Sequence, residues 1–96
     1  MENSAIDIGS QILKAMGNLN RLQILFALWK SEKNVGELEE VVGLSQSALS
    51  QHLAVLRRAN VVKTRRQAQT IYYSIKNAVV ANVLGLLDKY YNQRYE

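Results

Sequence analysis

The run GLSQSALSQHLAVLRR, residues 43–58, holds a helix stop, a helix start and a two-faced helix in immediate succession. Gly43 can end a preceding helix because glycine enters the left-handed region without a Cβ clash. Ser45 then offers a side-chain oxygen to the free N–H groups of a new helix running to about Ala59. With successive residues about 100° apart, Leu49, Leu53 and Leu56 fall on one side and predict the face that joins the core. Ser47, Gln51, Ala54 and Arg58 line the other side, with Gln46 and Ser50 flanking its N-terminal end. Short and amide side chains there suit a helix that enters a major groove and presents hydrogen-bonding groups to base edges. The competing reading is an ordinary solvated face, for which Glu and Lys are commoner choices. The free N–H groups at the start of such a helix also attract a phosphate.

Upstream, Asn34 followed by Glu37 has the form of a capping box with Asn in place of Ser or Thr. It opens a short helix through Leu38, Val41 and Val42 that Gly43 closes, giving helix, tight turn, helix. Asn20 is placed to cap an earlier helix in which Leu22, Ile24, Leu25, Phe26, Leu28 and Trp29 leave little polar face, so this helix is expected at the centre of the core. Ala5, Gly9, Ile12, Leu13 and Met16 recur at helical spacing and predict an amphipathic first helix.

Downstream of Asn60 the period changes. Val61 to Arg65 reads as one strand and Thr70 to Ile75 as a second, rich in β-branched and aromatic residues. The connection Arg66-Gln67-Ala68-Gln69 lacks Gly and Asn, so it is not expected to be the favoured two-residue hairpin turn but a longer or less regular loop. Arg65 and Arg66 near its tip are placed either to meet phosphates or a minor groove, or to keep an exposed edge soluble. Alternation puts one of Tyr72 and Tyr73 inward. His52, at the edge of the leucine face, reads equally as a partly buried hydrogen-bonded histidine and as a base contact.

The last segment, Asn77 to about Tyr95, returns to helical spacing. Val79, Val80, Val83, Leu84, Leu87, Tyr90 and Tyr91 make a stripe too broad for one small core to cover, unless it packs within the monomer. With the first helix it forms a natural two-fold interface, for which Ile12, Leu13, Met16, Val80, Val83, Leu84, Leu87 and Tyr91 are the candidates. Two copies would then read successive major grooves of an imperfect palindrome, about 34 Å apart.

Composition narrows the classes. A chain of 96 residues, 48% of them hydrophobic, is long enough for one core and too short for two, so residues 1–96 are expected to form a single domain. It has no cysteine, which excludes a disulfide framework and any thiolate chemistry. The N-terminal residues lack a secretory pattern and no apolar run approaches a membrane span, so a cytoplasmic protein with no membrane partner is expected. No nucleophile and base, and no carboxylate pair, suggest an enzyme. Between Val41 and Leu87 there are six basic residues and no acidic one, whereas the flanks hold six basic against eight acidic residues. A cationic middle fits a polyanion lying on one surface, or equally a solvated basic face.

Gly36-Glu37-Leu38 with Val41, the run from Gly43 to Leu53, and Val55-Leu56-Arg57-Arg58 together closely resemble the ArsR/SmtB family of regulators. The wing, Thr64 to Tyr73, is similar to the HlyU/NolR/BigR-like branch. The resemblance spans the second helix to the last. It implies a mainly α fold with a small β-hairpin, a winged helix-turn-helix of four helices, two strands and a fifth helix, homodimeric through the first and fifth. It further implies operator binding by double-stranded DNA contacts at Gln46, Ser47, Ser50, Gln51 and His52, with backbone contacts from Arg65, Arg66 and Gln67, and usually repression or relief of silencing. Many members sense metals or thiol oxidants. Here the positions of the third helix read Glu37, Leu38, Glu39 and Glu40, and the terminal helix has Asp88 but no His, so no metal, cofactor or thiol sensing is expected. The rival function is a winged-helix module that binds proteins without specific DNA recognition.

Overall fold

The computed structural model describes residues 1–92. In chain order they form α1 (Asn3–Met16), α2 (Leu19–Lys30), β1 (Lys33–Asn34), α3 (Val35–Val42), α4 (Gln46–Arg58), β2 (Val62–Gln67), β3 (Thr70–Ile75) and α5 (Ala78–Leu87), followed by a π-helical turn over Asp88–Asn92. The far end of the expected terminal helix, through Tyr95, lies outside the described residues.

α2 is the hub, packing on α1, α3, α4, α5 and β3. Ile24, Leu25, Ala27 and Leu28 of α2 are buried with Leu38, Leu49, Leu53, Leu56, Val61, Val62, Val80 and Leu84, as its nearly all-apolar surface requires. The helix begins two residues before the sequence reading, and its cap is Asn18 rather than Asn20: the Asn18 side chain accepts a hydrogen bond from the Arg21 amide at 3.1 Å. Arg21 settles this choice between two nearby asparagines. Its guanidinium donates back to the carbonyls of Ala15 and Lys14, satisfying the end of α1 and fixing where the chain turns.

The capping box is present in full, with Asn34 accepting from the Glu37 amide and Glu37 accepting from the Asn34 amide, both at 2.9 Å. Gly43 stops α3 at φ +70°, and Ser45 starts α4 by accepting from the Ala48 amide at 3.2 Å. The helix-turn-helix therefore rests on the residues that announce it.

The sheet differs from a plain hairpin. It has three antiparallel strands in the order β1-β3-β2, because Lys33 and Asn34 pair with Tyr73 and Tyr72. Two residues are too few to show a period of two, which is why sequence patterning misses β1. The wing turn also corrects the expectation of a long loop. Pairing runs unbroken from Val62 with Ile75 to Gln67 with Thr70, leaving only Ala68 and Gln69 to turn. Ala68 adopts φ +55° to do so, a conformation costing an L-residue about 1–2 kcal/mol that the continuous ladder offsets.

Candidate nucleic-acid interface

α4 presents the expected two faces. Leu49, Leu53 and Leu56 are buried, while Gln46, Ser47, Ser50, Gln51, Ala54, Arg57 and Arg58 are exposed. His52 is half-buried at the boundary. Beside the exposed ridge runs a shallow cleft lined by Ser50, Leu53, Ala54, Arg57 and Arg58 of α4 and by Tyr73 of β3. Helix ridge and wing thus border one groove.

Their relative placement is fixed at Asn60. This residue takes the left-handed conformation, φ +59°, just past α4. Its amide bonds to Arg57 O and the next amide, that of Val61, to Leu56 O, both at 3.0 Å, which is the Schellman pattern with buried Leu56 and Val61 as its apolar pair. The Asn60 carbonyl then accepts from Asn77 Nδ2 at 3.1 Å, while Asn77 Oδ1 caps α5 at the Val80 amide. Lys76 Nζ donates to Asn60 Oδ1 at 3.2 Å. The end of α4, the root of the wing and the start of α5 are joined at one point.

The two wing arginines lie on opposite faces of the sheet. Val62, Thr64 and Arg66 alternate with Lys63, Arg65 and Gln67, and the register sets Arg66 opposite Ile71 and Thr64 opposite Tyr73. Arg66 therefore shares the face of Tyr73, which borders the α4 cleft. It is exposed and makes no ion pair among the described residues. Arg65 occupies the other face and is engaged: it pairs with the Glu32 carboxylate through Nε and Nη2, donates from Nη1 to Gln67 Oε1 at 3.0 Å, and lies 4.7 Å from the Tyr72 ring centroid. The hydrogen bond from Arg65 holds the Glu32 carboxyl below its usual range, helped by the charges of Arg65 and Lys63 against a desolvation penalty. The Arg65 guanidinium is held above its usual range by the same hydrogen bond. Both tyrosines are half-buried: Tyr73 against the core, Tyr72 beneath Arg65. Glu32, a lone acid before a strand too short to recognise, carries no signal of this role in the sequence.

The residues expected at a two-fold interface divide. Ile12, Met16, Val80 and Leu84 are buried inside this chain, Val80 and Leu84 at 0% exposure, so they belong to its own core and are not free to meet a partner. The reason is geometric: they lie on the sides of α1 and α5 that face the hub. Val83 and Leu87 are half-buried, and Leu13 and Tyr91 are exposed at 60% and 55%. Outside the expected set, Ile6, Ile8, Val79, Leu86 and Tyr90 are exposed as well. Val79 and Leu86 stand one stripe away from Val80 and Leu84, giving α5 two apolar sides. Ile8 stands one turn before buried Ile12 and two before buried Ala15, yet is 60% exposed. The core-facing stripe of α1 runs past the end of the core.

Among the described residues no three His, Cys, Asp or Glu side chains gather as a metal site would require. No helix among them is long and apolar enough to cross a membrane.

Residues 18–64 match the family described as bacterial regulatory protein, arsR family. The nodulation protein NolR of Rhizobium meliloti is 54% identical over 85 residues, covering 88% of this chain and 70% of that protein. The transcriptional activator HlyU of Vibrio cholerae is 51% identical over 82 residues, covering 85% of this chain and 76% of that protein. The solved structure of V. cholerae HlyU superposes with a TM-score of 0.89 at 47% identity, covering 97% of this chain and 100% of the other. The homodimeric winged helix-turn-helix DNA-binding domain of Mb0332 from Mycobacterium bovis superposes at 0.85 with 26% identity, covering 100% and 92%.

Proposed function

Because the chain belongs to the ArsR family of bacterial regulatory proteins, whose members are transcriptional regulators and not enzymes, we propose that it is a sequence-specific double-stranded-DNA-binding regulator acting as a homodimer on an imperfect palindrome. The observation that carries this reading is the uncovered α4 ridge, with its small and amide side chains aligned beside a basic wing. In this reading α4 lies in the major groove. Gln51 and Gln46 offer both a donor and an acceptor, the pattern that pairs with the adenine edge, while Ser47 and Ser50 let the helix approach closely. His52, half-buried, contacts DNA only from the groove wall. Arg57, Arg58 and Arg66 meet phosphates on either side of the cleft.

Residues 1–96 act as one domain of a cytoplasmic protein. A second copy covers Ile6, Ile8 and Leu13 of α1 and Val79, Leu86, Tyr90 and Tyr91 at the other end of the chain, placing the two α4 ridges about one helical turn apart. The chain, which has no cysteine, regulates by occupying its site, which excludes either polymerase or another bound protein. Footprinting on genomic fragments tests the proposal: protection of two half-sites with dyad symmetry is expected. Gln51→Ala should narrow the preference for cognate over random duplex by about 1–3 kcal/mol, while Arg66→Ala should weaken both alike. Equal binding to all duplexes by the native chain would refute sequence-specific reading.

A further inference from the structure

The register aligns Asn34, Tyr72 and Arg65 in one cross-strand row, and Glu32 lies two residues before Asn34 on the same side. Arg65 therefore crosses the full width of the sheet. It starts on β2, passes over the Tyr72 ring of β3, and closes on the carboxylate that precedes β1. Each of its three guanidinium nitrogens has a partner, two in Glu32 and one in Gln67.

We propose that Arg65 serves DNA binding as a positioning residue: clasped to Glu32 across Tyr72, it fixes the pitch of the wing, and Arg66 on the opposite face makes the wing's phosphate contact. This rests on the DNA-binding reading above and narrows it, by removing Arg65 and Gln67 from the direct contacts. A phosphate seated on Arg65 would lie beside the Glu32 carboxylate, and like charges at that range repel. It would also have to displace a carboxylate already held in fork geometry. Arg66 meets neither obstacle. Its face is the one that borders α4, so a backbone following the α4 groove passes it first.

The test measures affinity of the full-length chain for a duplex bearing its footprinted site, across a range of salt. Arg66→Ala is expected to flatten the slope of log affinity against log salt by about 1.8, two phosphates' worth, one from each subunit of the proposed dimer. Arg65→Glu, which sets two carboxylates face to face, is expected to weaken binding about tenfold or more. Adding Glu32→Arg to it rebuilds the clasp with reversed polarity, and should restore affinity to within about threefold with the native salt slope. The same pair read without DNA should show wing amides exchanging faster in the single variant and at the native rate in the reversed pair. Overturning results are a reversed pair that binds no better than Arg65→Glu alone, or an Arg65→Ala variant that flattens the slope as much as Arg66→Ala does. Native protein that binds no duplex brings down the DNA reading and the clasp's role together, whereas native binding with failed rescue sinks only the clasp.

Discussion

The pairing of Glu32 with Arg65 gives the wing a defined response to acid. The Glu32 carboxyl is held below its ordinary range by Arg65, so protons bind it less readily in the clasped state than in the open one. Its contribution to wing order is complete above the usual glutamate range and declines as pH falls through the lowered value. Near neutrality no change is expected. An NMR titration following the Glu32 carboxyl and the wing amides should therefore show loosening only under acid conditions, and loosening centred near neutral pH would contradict the assignment. At this scale legibility was uneven. Gly43, Ser45 and the box formed by Asn34 with Glu37 do what their residue types prescribe, because each acts on backbone within three positions of itself. Ala68 does the opposite of its type, since strand pairing on both sides outweighs its preference. Glu32 has its partner 33 residues away, and no local pattern announces such a pair.

Helical elements were legible through their stripes, but a stripe does not say which body covers it. α5 illustrates the difficulty: Val80 and Leu84 are packed inside, while Val79 and Leu86, one and two positions over, are open. Period alone places Val79, Val80 and Leu84 on one broad apolar stripe and leaves Leu86 out of it. The structure separates them into a buried set and an open one, and the proposal that the open set meets a second copy is testable. Leu84→Ala should cost about 2–5 kcal/mol of folding stability, as for other buried leucines. Leu86→Asp should leave the fold and its circular dichroism intact and shift the protein toward monomer in sedimentation. If Leu84→Ala proves harmless, or Leu86→Asp unfolds the chain, the division is wrong. β1 escaped notice for a different reason: its two residues owe their extended form to pairing with β3, not to their own sequence.

For the molecule as a whole, the charge distribution and the surplus of apolar surface were visible early, whereas the arrangement of faces needed coordinates. The basic segment separates into Arg66, open on the groove side, and Arg65, already neutralised on the other. Dimer formation by the uncovered surfaces, as proposed above, would link stability to mass action. The thermal midpoint should rise as protein concentration is raised, and a midpoint independent of concentration would argue against an associating species. The stripe on α1 that outruns its own core at Ile8 carries this into the cell. If the unit that grips an operator exists only after two chains meet, the amount of it grows roughly with the square of chain number while single chains predominate. Modest changes in synthesis or turnover would then swing promoter output sharply, giving a steep dose response to a regulator whose chain has no thiol with which to sense an oxidant.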